Sequence, residues 1–283
     1  NNLMVIKMPK IVKQFSIAGK FSLVFIVLVC FIAIFAPMLT KYPWNQPTGA
    51  SLEPPGKAHI LGTDDLGIDL WAQICHGARN SIVVGIGTAV IACFLGTLLG
   101  VVSGYYQGVA DLVITALIDI LTSIPSLPIM VVTGAFFGPS IKNIILILSI
   151  LSWAVPARII RSKIISAKQE TYIKVAEGYG AGFFYITYRH FLPQIFPISL
   201  ISFIKLISRA IVSEASLSFL GLGDPTSKSW GLILNYALNF PGIYFTDYWK
   251  WWIIYPLLCI ILLVLATATV GREFEKILDA KID

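Results

Sequence analysis

The side chains best placed to do chemistry are two cations inside an apolar segment. Lys205 and Arg209 lie four residues apart, so they share one face of any helix that contains both. Counted from Ile195 at about 1.5 Å per residue, Lys205 lies near the middle of a bilayer-spanning helix. A cation there costs about 2.5–3.5 kcal/mol, so both are expected to face an aqueous path or to pair with a carboxylate such as Asp119 or Glu214, or one of another subunit. The sequence leaves path lining and ion pairing open.

Sequence motifs typical of enzymes give little indication of catalysis in this chain. Residues 221–224 spell G-L-G-D, the motif of intramembrane aspartyl proteases, whose chemistry needs two buried carboxylates close together. Asp224 is instead followed by a proline and a polar loop, and no Tyr-Asp motif lies in another apolar run, so a protease is a distant alternative. The sequence contains no GxxxxGK[ST], HExxH or GxSxG pattern, so we predict no nucleotide hydrolysis and no catalytic residue in this chain.

The cysteines and histidines predict neither a disulfide framework nor a metal site. The four cysteines are scattered without a CxxC spacing, and the adjacent Cys75 and His76 are too few ligands for a metal. We therefore predict that this chain binds no cofactor.

The elements that must position these residues are membrane helices. The chain has 283 residues, of which 57% are hydrophobic and 13% charged, more apolar surface than a soluble domain of this length can bury. The predicted class is an all-α polytopic membrane protein, and the net charge of +6 fits basic residues retained on the cytoplasmic side. Six apolar runs are long enough to span a bilayer: 21–40, 81–105, 112–137, 141–162, 194–215 and 252–271.

Charge asymmetry predicts the orientation of these spans. The N-terminal segment carries Lys7, Lys10, Lys13 and Lys20 without an acid, so it is expected in the cytoplasm. Six spans then return the C-terminus to the cytoplasm, with segment 163–193 inside and loop 41–80 outside. The inner segment is rich in lysine and the outer loop in aspartate, in agreement with this direction. Loop 42–63, rich in proline and glycine, is expected to be an ordinary outer loop.

Small residues and prolines predict how the spans pack. A helical stripe of small residues spaced by four in the second span lets another backbone approach closely, and it consists of Ala92, Gly96, Gly100 and Gly104. Pro125 and Pro128 are expected to kink the third span.

Segment 163–193 has the pattern of two short helices joined by a glycine turn. Tyr172, Ala176 and Tyr179 share one helical face, and Gly180 lies where a Schellman turn would end that helix. The stretch FFYITYRHFLP then begins a second helix that leads through Pro193 into the fifth span. A rigid helix pair, rather than a flexible connector, is the prediction.

This segment resembles the EAA signature of ABC importer permeases. The signature runs E-A-A, three residues, G, nine residues, then a residue ahead of x-L-P, and its spacing is matched here by Lys174, Val175, Ala176, Gly180, His190, Leu192 and Pro193. Two letters differ, because Lys174 replaces the usual Glu and Val175 the usual Ala. Glu177, one turn later, is the alternative acid.

Three further blocks resemble the dipeptide/oligopeptide/nickel permease family, specifically the second of its two permeases. They are residues 61–82, 213–223 and 229–231. The resemblance implies a peripheral first helix with its outer loop (1–63) and a five-helix permease core (64–283) that includes the coupling segment 163–193.

The resemblance also implies partners and roles. It assigns ATPase coupling to Lys174, Val175, Ala176, Glu177, Gly180 and Ala181. From the residue types and their positions we expect the translocation path to be lined by Lys205, Arg209, Ser213 and Glu214. Expected partners are a second homologous permease, two ATPase subunits that carry ATP and Mg²⁺, and an extracytoplasmic substrate-binding protein, in the cytoplasmic (inner) membrane of a bacterium or archaeon and without nucleic acid. Peptides are the leading cargo, followed by nickel or metal chelates and oligosaccharides. The competing class is a channel or scaffold without energy coupling.

Overall fold

A computed structural model describes residues 14–279, and this part of the chain is almost entirely helical. The helices are α1 (Ile17–Leu39), α2 (Leu70–Tyr106), α3 (Gly108–Ser123), α4 (Ser126–Phe137), α5 (Ile141–Ser152), α6 (Ala154–Lys168), α7 (Thr171–Gly178), α8 (Phe183–Ile186), α9 (Leu192–Leu217), α10 (Trp230–Asn239), α11 (Trp249–Trp252) and α12 (Ile254–Asp279). Two π-helical segments, Thr187–Phe191 and Ser218–Leu222, flank α9. The orientation signal from Lys7, Lys10 and Lys13 lies outside the described residues.

Five continuous helical segments within the described residues are long and apolar enough to cross a membrane, and a broken pair provides a sixth. The continuous ones are Ile17–Leu39, Leu70–Tyr106, Ile141–Lys168, Phe183–Leu222 and Trp249–Ile277. The broken pair, α3 and α4, bends by 92°. The all-helical polytopic class predicted from composition is therefore confirmed.

The third span breaks where the sequence has its prolines. Ile124 adopts an extended backbone ahead of Pro125, because a residue before proline is disfavoured in the helical region. Pro128 lies in the first turn of α4, where an intrahelical N–H is not needed. The kink predicted from Pro125 and Pro128 is present as a right-angled elbow.

The second span begins earlier than its apolar run. Residues 70–80, expected in the outer loop, form the first turns of the 37-residue α2. Asp69 caps this helix, since its carboxylate accepts a hydrogen bond from the Ala72 N–H at 2.8 Å. Its first turns are buried, with Leu70, Ala72 and Cys75 inaccessible to solvent.

The stripe of small residues on α2 faces α6 at close range. A Cβ added to Gly96 would lie 2.8 Å from the Trp153 carbonyl oxygen, and one added to Gly100 would lie 2.7 Å from that of Ala157. At Gly104 the Cβ would lie 2.7 Å from the Cβ of Ile164. Ala92, fully buried, extends the same contact. Backbone approach at these positions excludes any larger side chain.

The outer loop is folded onto the bundle instead of hanging free. His59 Nδ1 lies 2.8 Å from Asp69 Oδ2, and both side chains are buried. Asp64 is buried as well, and it accepts hydrogen bonds from the Leu66 and Ile68 N–H groups at 2.9 Å and from Gln73 Nε2 at 2.6 Å. The expectation of an ordinary outer loop was wrong, because hydrogen-bonding partners supplied by α2 allow these polar groups to be buried.

Candidate functional site

The coupling segment is anchored by a small apolar cluster. Ile173 of α7 is fully buried against Ile164 of α6, together with Ile186 and Phe191 from the helix that follows the turn. The Gln194 side chain donates a hydrogen bond to the Tyr172 hydroxyl at 2.6 Å, which ties α7 to α9. The two short helices are therefore packed against the spans on either side of them.

Gly180 ends α7 in the predicted Schellman turn. Its φ of +87° is left-handed, a conformation that costs other residues energy. The Ala181 N–H donates to the Ala176 carbonyl at 3.0 Å, and the Gly180 N–H donates to that of Glu177 at 2.9 Å. These are the two hydrogen bonds that define the motif, so the prediction for Gly180 is confirmed.

The outward face of the coupling segment is aromatic. Tyr179, Phe184 and Tyr188 are 90%, 85% and 79% exposed, so their rings contact almost nothing within the subunit. Lys174 and Val175 are exposed beside them, whereas Ala176, Glu177 and Ala181 are half-buried. Lys174 forms no ion pair with any side chain that the structure describes. An exposed apolar patch of this kind is a candidate interaction surface.

The helix after the turn continues without a break into the fifth span. Residues Phe183–Leu222 form one helical segment of 40 residues, interrupted only near its end at Gly221, where φ is +83°. Just before Pro193 the helix is π-helical, and the Leu192 N–H donates to the Thr187 carbonyl five residues back. Phe184 and Tyr188 of the aromatic face therefore lie in the same helical segment as Lys205 and Arg209.

Lys205 and Arg209 line an open groove of about 700 Å³ between α9 and α12. Residues of one α9 face form one wall: Lys205, Ser208, Arg209, Val212, Ser213 and Ser216. The opposite wall carries Val264, Ala268 and Arg272 of α12, and the elbow between α3 and α4 closes one side with Ser126 and Leu127. The Ser208 hydroxyl donates to Thr267 Oγ1 at 2.7 Å and links the two walls.

The carboxylate that pairs with Lys205 is neither of the two expected from the sequence. Lys205 Nζ lies 2.7 Å from Glu275 Oε1, near the charged end of α12 and beyond its apolar stretch. Asp119 pairs with Arg158 at 2.8 Å instead. The depth of Lys205 in the bilayer stays a prediction, whereas the choice of Asp119 or Glu214 as its partner within the described residues was wrong.

Glu214 does not line the groove, although Ser213 does. The Glu214 carboxylate is buried on another face of α9, where it accepts hydrogen bonds from Ser218 Oγ at 2.7 Å and Ser81 Oγ at 3.4 Å. Helical periodicity explains the difference, because neighbouring residues point about 100° apart. Its assignment to the translocation path therefore lacks geometric support.

Sequence reasoning missed an ion pair that fastens the broken span. Arg161 of α6 binds Asp111 of α3 through two contacts, Nε to Oδ1 at 2.5 Å and Nη2 to Oδ2 at 2.7 Å. Ser103 of α2 donates to the same carboxylate. The sequence does contain a signal, because Asp111 directly precedes one apolar run and Arg161 lies at the end of another. That these two residues pair with each other depends on the tertiary fold.

Asp224 has a structural environment. Its carboxylate accepts from the Thr226 N–H at 2.9 Å and the Thr226 hydroxyl at 2.6 Å, and faces the Ile141 N–H at 3.4 Å. Partial burial raises the pKa of Asp224, but these hydrogen bonds outweigh it and the net pKa is lowered. The Asp224 carboxylate is thus occupied by donors from a loop and a helix start, and these contacts give no support to the protease alternative, which needs a second buried carboxylate beside it. Within residues 14–279 no group of three His, Cys, Asp or Glu side chains could hold a metal.

Residues 96–283 match the family described as "Binding-protein-dependent transport system inner membrane component". The oligopeptide transport system permease protein OppC of Bacillus subtilis (strain 168) is 31% identical over 263 residues, 92% of this chain and 85% of the relative. The dipeptide permease protein DppC of Haemophilus influenzae is 33% identical over 269 residues, with 92% and 90% covered. The glutathione permease protein GsiD of Pectobacterium atrosepticum is 34% identical over 265 residues, with 91% and 85% covered.

Proposed function

This chain belongs to the family of binding-protein-dependent transport system inner membrane components, and from that premise we propose that it carries peptides as one of two permease subunits of an ABC importer. The family makes it a multi-pass transport permease. Peptide cargo, the two ATPase partners, the second permease and the substrate-binding protein are the proposed refinements.

The observation that carries this proposal is the construction of the coupling segment. A short helix capped by a left-handed glycine is followed by a second helical segment that is continuous with a spanning helix, and the pair presents three largely exposed aromatic rings. An apolar surface that stays exposed in the isolated subunit is typical of a site that binds another protein. Rigid attachment is what a transmitter of ATPase closure needs, since coupling requires an element with two discrete positions that both sites bias.

The names of the relatives support a peptide cargo. Those relatives are permease proteins for oligopeptides, dipeptides and glutathione, all of which carry free carboxylates. Peptides are thereby favoured over the nickel, metal-chelate and oligosaccharide alternatives. The two groove cations, Lys205 and Arg209, also suit a cargo that carries a carboxylate.

The proposed orientation follows from the basic coupling segment. Lys163, Lys168 and Lys174 favour a cytoplasmic location for it, on the side where ATPase subunits operate. The acidic outer loop then faces the opposite compartment, and both termini are cytoplasmic.

Reconstitution tests the proposal. This chain is co-expressed with its neighbouring permease, ATPase and binding-protein subunits, purified through a tag on this chain alone and placed in proteoliposomes. The expected result is co-purification of both ATPases and uptake of a radiolabelled peptide that requires ATP and the binding protein. Uptake that persists without ATP would indicate the channel alternative, and retention of nickel chelate or oligosaccharide instead of peptide would overturn the cargo.

A further inference from the structure

The groove between α9 and α12 carries more positive than negative charge. Lys205 and Arg209 point into it from α9 and Arg272 from α12, whereas Glu275 is the carboxylate paired there. Arg209 and Arg272 form no ion pair with any side chain whose placement the structure describes. Two guanidinium groups in one concave site lack a counterion from the subunit itself, so the charge complementarity favours an anionic occupant.

The Lys205–Glu275 contact shows which kind of anion the site accepts. The Glu275 carboxylate lies 2.7 Å from the Lys205 ammonium at the wall of the groove, and both side chains are roughly half exposed to solvent. A partly exposed pair of this kind exchanges partners readily, because solvent screens its attraction and each side chain regains freedom when it opens. An incoming carboxylate has the same charge and geometry as the group already present.

The rest of the lining suits a peptide end rather than a bare ion. Val212, Val264 and Ala268 offer apolar surface beside the cations, and Ser213 adds a hydroxyl. A volume of about 700 Å³ is within the range of small-molecule sites. The planar fork of arginine matches a carboxylate through two parallel hydrogen bonds, which gives Arg209 and Arg272 a selectivity that a lysine alone would lack.

We propose that this groove binds the C-terminal carboxylate of the peptide cargo, with Arg209 and Arg272 as its ligands and Glu275 as the internal competitor that it displaces from Lys205. The inference rests on the proposed function and names the chemical group that the path recognises. Competition by Glu275 lowers the affinity of the groove for the cargo, because Glu275 returns to Lys205 when the cargo leaves.

The test compares one peptide with a free C-terminal carboxylate and the same peptide amidated at that end. Uptake of both is measured in proteoliposomes for the complete importer, and each variant is expressed relative to wild type, which cancels any preference of the binding protein. Arg209→Met/Arg272→Met should reduce uptake of the free acid about tenfold more than that of the amide, the effect of one charge-assisted hydrogen bond. Glu275→Gln should act in the opposite direction and lower the KM for the free acid.

Controls separate the site from folding and lipid effects. Lys142→Met removes an exposed cation at the start of α5, away from the groove, and should leave both peptides unaffected. Arg209→Lys/Arg272→Lys keeps the charge and should recover part of the selectivity. An equal loss for both peptides would overturn the inference, whether it reflects a structural role or, if it occurs only with phosphatidylglycerol in the vesicles, a bound lipid headgroup. Failure of wild type to take up either peptide with ATP would instead overturn the peptide cargo, and the inference with it.

Discussion

The outer loop (residues 40–69) and the coupling segment (163–193) differ in which side chains they bury and which they leave exposed. Both are polar, glycine-containing stretches between spanning helices, and both fold against the bundle. The outer loop buries His59, Asp64 and Asp69 and satisfies them with hydrogen bonds. The coupling segment instead buries aliphatic residues such as Ile173 and leaves its aromatic rings in solvent.

The difference separates structure that is complete within the subunit from structure that awaits a partner. Buried polar groups are expensive unless paired, so a network such as that of Asp64 specifies one conformation of the loop. Exposed rings such as those of Tyr179 and Phe184 add nothing to the fold and gain their burial energy only in a complex. Mutations in the two regions should therefore affect stability and coupling separately.

The largest expected loss of stability comes from Asp64→Ala. This change leaves the Leu66 and Ile68 N–H groups and the Gln73 amide without their buried acceptor, at a cost of about 3 kcal/mol. The thermal unfolding midpoint of the purified complex should fall by several degrees.

Asp64→Asn is the matched control, because it retains an oxygen for the two backbone donors and should lose less. An Asp64→Ala variant as stable as wild type would contradict the idea that the polar network holds the outer loop.

Gly180→Val should have a smaller effect on stability and a larger one on coupling. No atom lies within 4 Å of a Cβ at this position, so the cost is the left-handed backbone, about 1–2 kcal/mol. The turn should relax and reorient α7, and the ATPase activity stimulated by the loaded binding protein should fall.

Gly178 provides the comparison for that variant, since a Cβ there also meets open space but its φ is not left-handed. Gly178→Val should therefore lose less stimulated activity. Equal activity in wild type and Gly180→Val would remove the turn from the coupling mechanism.

Removal of the exposed rings should change coupling with almost no change in stability. Tyr179→Ser/Phe184→Ser alters side chains that are 90% and 85% exposed, so the free energy of unfolding should shift by less than about 0.5 kcal/mol. Co-purification of the ATPase subunits should nevertheless be lost, because the partner loses the apolar surface on which it packs. Retained ATPase binding would mean that these rings lie outside the interface.

Much of the coupling segment could be predicted from the sequence, because its determinants are local. Gly180 ends a helix whose residues are adjacent in the chain, and the small-residue stripe from Ala92 to Gly104 is visible at a fixed spacing of four. The elbow at Pro125 is also a local effect. The formation of a helix, the turn that ends it and the kink within it all depend on residues that are only a few positions apart in the chain.

The contacts that could not be predicted are long-range. Glu275 reaches Lys205 across 70 residues, and Asp111 reaches Arg161 across 50. From the sequence alone, several cations are equally plausible partners for each of these acids. Only the packing of the helices determines which cation each acid binds. The outer loop was misjudged for the same reason, since proline and glycine predict turns but not the burial of His59 against Asp69.

The smallest expected effect is a pH dependence confined to the outer loop. Burial and the neighbouring charge of Asp64 raise the pKa of Asp65, while the Lys228 cation lowers it in part. The fold therefore favours the neutral acid: the contribution of Asp65 to stability is full below its ordinary pKa of 3.8 and is lost as the pH rises through the raised value. Asp65→Asn should unfold at the same temperature as wild type at low pH and slightly above it at neutral pH.

Thermal midpoints of both proteins measured from about pH 4 to 8 would show this divergence. Lys228→Met sharpens the test, because loss of the cation leaves Asp65 facing Asp64 alone and should widen the difference at neutral pH. A pH-independent difference for Asp65→Asn would mean that the outer loop does not hold Asp65 close to Asp64 and partly shielded from solvent.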